Sequence, residues 1–137
     1  MLKYIIFLCV SFNAVSTVSG CRCGLSELER FCTNDYAIIA KVTKETKVGN
    51  ELEYQITQVK CLKPHVEDPS VIRDKVYAST DPAACSTTLD KGFTYLLSGK
   101  YRKNGSGHKE QFLGNCKIAR KLTKSDVKTY KAPQCLQ

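Results

Sequence analysis

Histidine is scarce in this sequence: His65 and His108 are the only two among 137 residues. Neither belongs to a metal-binding or nucleophile–base motif, so both read as surface residues and the chain offers no constellation suited to catalysis. We expect a non-enzyme with no catalytic residue, no intrinsic metal and no cofactor. Long apolar runs are missing after residue 20, where nothing approaches the roughly 20 consecutive apolar residues that span a bilayer. No membrane contact is therefore expected of residues 21–137. There is no internal repeat, no low-complexity tract and no DNA- or RNA-binding motif, so nucleic acid is not an expected partner despite a formal net charge of +8.

What is present begins with a leader. Lys3 supplies a positive start, Tyr4 to Val10 an apolar run, and Val18-Ser19-Gly20 a small-residue cleavage site, which is the anatomy of a secretory signal peptide over residues 1–20. The mature chain then starts at Cys21 and, at this length, forms one domain over residues 21–137. We expect it to be secreted and extracellular. Of eight cysteines, Cys9 leaves with the leader and seven remain: Cys21, Cys23, Cys32, Cys61, Cys85, Cys116 and Cys135. In an exported chain of this size they read as a disulfide framework, whose connectivity spacing alone leaves open. An odd number cannot pair completely within one chain. Val18-Ser19-Gly20-Cys21 also has the form of a bacterial lipoprotein processing site, but a lipidated Cys21 would have its amine blocked and would stand outside that framework.

Local patterns predict a mainly β domain. Ser26-Glu27-Leu28-Glu29 has capping-box spacing and starts a short helix running to about Asn34. From Tyr36 to Val48 the residues are β-branched and aromatic, Gly49-Asn50 supplies a turn, and Leu52, Tyr54 and Ile56 alternate with polar neighbours, which predicts a long hairpin. The apolar parity then shifts to Val59 and Cys61, the mark of a bulge or a barrel corner. A loop with Pro64 and Pro69 leads to a third strand over Val71 to Ser79. Asp81-Pro82-Ala83-Ala84-Cys85 forms a stapled loop. Phe93, Tyr95 and Leu97 share one face of a fourth strand, and Asn104-Gly105-Ser106-Gly107 turns into a fifth that ends near Ile118, with Phe112, Cys116 and Ile118 on one side. Ala119 to Lys131 reads as a terminal helix. Five strands in hairpin order with a helix at each end suit a disulfide-stapled Greek-key barrel of the OB type. Asn104-Gly105-Ser106 is also an N-glycosylation sequon on a hairpin tip.

Several motifs carry a family resemblance. Phe31-Cys32-Thr33-Asn34-Asp35-Tyr36-Ala37-Ile38-Ile39-Ala40-Lys41-Val42, preceded by Cys-x-Cys at a fresh N-terminus, resembles the start of the inhibitory, netrin-like domain of the tissue inhibitors of metalloproteinases. Val76-Tyr77-Ala78-Ser79 with Cys85, then Phe93, Tyr95 and Leu96-Leu97-Ser98-Gly99-Lys100, and finally Lys128-Thr129-Tyr130 with Cys135, are similar to later parts of the same domain. The resemblance implies the disulfides Cys21–Cys85, Cys23–Cys116 and Cys32–Cys135. It leaves Cys61 without a counterpart, as a buried thiol in a monomer or as the bridge of a Cys61-linked dimer. It extends over the inhibitory domain of the family and not over the second domain.

The implied function is inhibition of an extracellular zinc metalloprotease. In the family the α-amino group and carbonyl oxygen of the first residue, here Cys21, chelate the catalytic zinc and fill the position its hydrolytic water needs. An α-amino group has a reference pKa of about 7.7 to 8.0, so its neutral form is accessible to a metal. By the same resemblance Arg22, Cys23 and Gly24, together with Ala83, Ala84, Cys85 and Ser86, contact the protease. Arg22 departs from the small polar residue usual after the first cysteine, and burying an unpaired guanidinium in an apolar specificity pocket is costly, which implies an altered or weakened target range. Gly24-Leu25 lacks the family's proline and histidine. The competing function is a non-inhibitory netrin-like module that binds sulfated matrix polysaccharide or a receptor. Its basic stripe would be Lys117, Lys121, Lys124 and Lys128 on the terminal helix, helped by Lys100, Arg102 and Lys103.

Overall fold

A computed structural model describes residues 23–136, the side chain of Ala84 excepted. The expected leader and the site residues Cys21 and Arg22 lie outside the described residues.

The capping signal at Ser26 starts helix α1, Glu27–Thr33, with the Ser26 side chain accepting from the Glu29 amide. Strands β1, Tyr36–Val48, and β2, Glu51–Lys63, then form the long antiparallel hairpin around Gly49, which takes a left-handed φ of 60° in the turn. The parity shift at Val59 is a bulge: Ile39 pairs with Lys60 and Ala40 with Gln58, so Val59 is the extra residue and its side chain turns outward. Strand β3 covers Val71–Ser79, and a single 3-10 turn, Pro82–Ala84, follows. Strand β4 covers Thr94–Lys103 and β5 covers Lys109–Leu113.

The last part differs from the expectation. The fifth strand ends at Leu113, Cys116 sits in the next turn with φ 59°, and a sixth strand, β6, runs Ile118–Leu122 where the terminal helix was expected to begin. Helix α2 is only Lys124–Thr129, opened by a complete Thr123/Asp126 capping box. The reason is tertiary. Residues 94–98 of β4 pair with β1 along one edge, and β6 satisfies their other edge. Phe112, Cys116 and Ile118 consequently share no face: Gln111 and Leu113 point inward on β5, and Phe112 lies under the Arg102 guanidinium, 4.7 Å from its ring centre. Phe93 likewise precedes β4 and is exposed, whereas Tyr95 and Leu97 face the barrel interior.

The strands close in the order β1-β2-β3-β5-β4 and back to β1, with β3 and β5 parallel and the other pairs antiparallel. This is the expected five-stranded barrel, with β6 added outside the closure. β1 contributes to two cores at once. Tyr36, Ile38, Ala40 and Val42 fill the barrel, while Ala37 and Ile39 point out beneath the helices, against Phe31, Leu62, Leu96 and Ile118. Its run of five consecutive buried residues reflects burial on both faces.

Candidate functional site

The turn between β5 and β6 gathers the segments on which the sequence reading places its contacts. Cys23 is disulfide-bonded to Cys116 with Cα atoms 5.1 Å apart, and Cys32 to Cys135 at 5.5 Å. One bridge thus ties the segment before α1 to the β5–β6 turn and the other ties the segment after α2 to α1, each closing a loop longer than ninety residues. Polar bonds reinforce the first. The buried Asn34 amide donates to Ser98 Oγ at 3.1 Å and to the Cys116 carbonyl at 3.0 Å, and Ser98 Oγ donates to the Tyr36 carbonyl. Among the described residues no buried side-chain polar atom is left without a partner.

Cys85 ends the 3-10 turn in a left-handed conformation, φ 60°, after Asp81 caps the turn by accepting from the Ala83 amide. It is buried and disulfide-bonded, whereas Ala83 and Ser86 are exposed on either side of it. Its expected partner, Cys21, lies outside the described residues. Lys117 crosses to this loop, its amine donating to the Cys85 carbonyl at 2.8 Å. Burial, then the nearby Arg30 charge, lowers the Lys117 pKa. Arg30, on α1, donates to the Leu25 carbonyl at 3.1 Å, the Lys117 carbonyl at 3.2 Å and the Cys23 carbonyl at 3.4 Å. The structure therefore brings Cys23 and Cys85 to opposite sides of one turn, with exposed Gly24 and Ser86 beside them.

Arg30 was not among the residues the sequence pointed to, and Lys117 entered only as a member of the basic stripe. That stripe is not one helix face. Lys117 precedes β6 and is occupied at Cys85, Lys121 lies on β6, and Lys124 and Lys128 lie on α2. Lys121, Lys124 and Lys128 instead share a groove with Lys41, over a floor of Val59, Phe93, Leu122 and Val127. Lys121 is ion-paired to Asp90 at 2.9 Å, with its amine 3.9 Å from the centre of the Phe93 ring. Of the other proposed basic residues, Arg102 is absorbed by Glu51 and Glu110, and Lys100 lies 4.0 Å from Asp35.

Cys61 is a free, half-buried thiol that donates to the Pro64 carbonyl at 3.6 Å, and burial is the main cause of its raised pKa. Asn104 stands on the β4–β5 turn, its side-chain oxygen accepting from the Ser106 and His108 amides. No group of three or more potential metal ligands occurs among the described residues, and none of their helices is long and apolar enough to cross a membrane.

A comparison with curated protein sequences finds no match. A family model described as NTR, the UNC-6/NTR/C345C module, matches residues 29–134.

Proposed function

The chain belongs to the NTR family, which includes the inhibitory domain of the tissue inhibitors of metalloproteinases, and from that membership we propose that it is a secreted, non-enzymatic inhibitor of an extracellular zinc metalloprotease. The observation that carries the reading is the fastening of two distant segments to one turn: Cys23 through its disulfide to Cys116, and Cys85 through the amine of Lys117. An inhibitor gains affinity when the segments that enter a cleft are already ordered, because less conformational entropy is lost on binding. Cys21 would supply its amine and carbonyl to the protease's zinc, with Arg22 entering the specificity pocket and Ala83, Ala84 and Ser86 lining the cleft. This role of Cys21 rests on the Cys-x-Cys motif, which precedes the matched residues. Disulfides and an NTR module are typical of extracellular proteins, in keeping with a secreted inhibitor.

The test is a panel of zinc metalloproteases exposed to protein with a free Cys21 amine, to the same protein extended by one residue at that end, and to Arg22→Thr. The native form should inhibit, the extension should abolish inhibition, and Arg22→Thr should widen the range of proteases affected. Silence from both the native protein and Arg22→Thr overturns the reading.

One observation favours a second reading. Among the described residues Lys41, Lys124 and Lys128 form no ion pair and ring the same groove as Lys121, an arrangement suited to a sulfated polysaccharide. Replacing Lys121, Lys124 and Lys128 by alanine should then release the protein from a sulfated matrix at lower salt, whereas the one-residue extension should not.

A further inference from the structure

Disulfides alone do not set the pose of the two segments that flank the β5–β6 turn. A bridge fixes one point of a chain and leaves it free to swing about that point. Little apolar packing is available to stop the swing: Gly24 and Ser86 are exposed, Cys23 and Leu25 are half-buried, and the depression between the segments has a polar lining that includes Thr87, Thr88 and Asn115. Across this depression the arginine of α1 reaches three carbonyls, those of Cys23, Leu25 and Lys117. The planar guanidinium carries five donors spread over three nitrogens in a fixed fork, so it can hold widely spaced acceptors in one relative geometry, whereas the donors of an ammonium radiate from a single rotating nitrogen. Lys117 receives one of these bonds at its carbonyl and extends its own amine to the Cys85 carbonyl. The side chains thus form a continuous polar chain from Cys23 and Leu25 through the turn to Cys85.

We infer that Arg30 and Lys117 are positioning residues that lock the Cys23–Leu25 segment and the Cys85 loop in one relative pose, making a preformed ridge of two pieces of chain that their disulfides anchor only at Cys23 and Cys85. With the Cys23–Cys116 disulfide, the bonds at Cys23 and Leu25 pin the first segment at three points, enough to fix its direction as well as its place. Lys117 sets the spacing to the second segment. Stability alone does not account for this use of Lys117, because a half-buried ammonium close to another cation carries a desolvation cost that an apolar side chain of similar length would avoid.

The consequence for inhibition rests on the protease-inhibitor reading, whereas the lock itself does not, and the experiment separates them. Backbone amide order parameters are measured by NMR relaxation in the full mature chain for native protein, Arg30→Gln, Lys117→Gln and the double variant, with Ile38 and Leu97 in the barrel as internal references. Loss of these bonds should lower the order parameters of Gly24 and Leu25 in Arg30→Gln, and of Ser86 in Lys117→Gln, from about 0.85 to below about 0.6, with the barrel amides unchanged. Arg30→Lys should fail to restore Gly24 and Leu25, since a point charge cannot replace the fork. Unchanged order parameters in the double variant overturn the lock, and so does an equal fall at the barrel amides, which would mark a general loosening of the fold. Against a protease that the native protein inhibits, the double variant should bind on the order of tenfold more weakly with an unchanged melting temperature; unchanged inhibition despite lower local order overturns the positioning role. If native protein inhibits no protease, the inhibitor reading falls and the order parameters still decide the lock.

Discussion

Gly99, in the middle of β4, is the position at which one added carbon should do most damage. A Cβ built there would lie 2.1 Å from the Phe112 carbonyl oxygen and 2.8 Å from the Tyr36 hydroxyl, and that hydroxyl donates to the same carbonyl at 3.1 Å. The oxygen belongs to β5 backbone, so no rotamer change relieves the contact; β4 and β5 must separate where Lys100 pairs with Phe112. Overpacking of a tight interior costs about 1 to 3 kcal/mol and occasionally more. A rigid obstacle, with a buried tyrosine hydroxyl displaced as well, puts Gly99→Ala at the upper end, about 3 kcal/mol. Against a total of about 5 to 15 kcal/mol for a small domain, that is a large fraction. The assay is urea unfolding with the disulfides intact, followed by tyrosine fluorescence, since the chain has no tryptophan. Two variants frame it. Gly105→Ala, whose Cβ would meet nothing within 4 Å, should stay within about 0.5 kcal/mol of native. Tyr36→Phe removes the hydrogen bond without the clash and should cost about 1 kcal/mol. If Gly99→Ala is no worse than Gly105→Ala, the close approach of β5 to Gly99 is wrong and with it the local geometry of the barrel closure.

Burial, then the negative charges of Cys61 and Asp35, pushes Tyr101 up to about 12, so its contribution to stability is intact below about pH 10 and lost as pH rises through 12. Tyr101→Phe should delete a phenolate absorbance step near pH 12 and flatten the fall in stability from about pH 10 upward; deletion of a step near pH 10 would refute this. Bonds from Lys109 and Ser70 hold the Asp68 carboxyl well below its ordinary range, so that contribution is intact above about pH 4 and lost on acidification through the native-state pKa. Asp68→Asn should therefore show a shallower loss of melting temperature below about pH 4 than native protein, and an unchanged acid limb would contradict the assignment. Arg102 joins Glu51 and Glu110, and its guanidinium lies over Phe112 and Tyr77. Arg102→Met should cost about 2 kcal/mol in urea unfolding, because two carboxylates lose their shared cation at a partly covered site; a cost below about 0.5 kcal/mol would show the cluster to be solvated like an ordinary surface pair.

The residues that were read correctly owe it to local physics. Ser26 and Glu29 stand at capping distance along one turn, Gly49-Asn50 suits a backbone that must reverse, and the alternation of Leu52, Tyr54 and Ile56 repeats with the strand period. The bulge at Val59 was visible for the same reason, as a break in that period. Ile118 reads as the end of the fifth strand and Leu122 as part of a terminal helix, whereas both lie on β6, because five residues with two apolar ends carry too little periodicity to mark a separate strand. Local propensity in Ala119 to Lys131 favoured the helix, and pairing with the open edge of β4 outweighed it. Once β6 took those residues, the lysines expected along one helix were divided between a strand, a helix and the β5–β6 turn.

Composition and short-range pattern alone determined the mainly β architecture, the barrel-forming hairpin and the presence of a cysteine framework, because each rests on residues close together along the chain or on the number of cysteines; the resemblance to a known family came separately, from the motif Phe31 to Val42. Only the tertiary structure decided that β6 adds to β4, that Gly99 must lack a side chain for β5 to pass, and that Arg30 and Lys117 meet Cys23 and Cys85. Those contacts join positions as many as 87 residues apart, between Arg30 and the Lys117 carbonyl. Nothing local marks either partner, since an arginine on a helix and a lysine before a strand look like ordinary solvated charges until the folded chain places carbonyl oxygens within their reach.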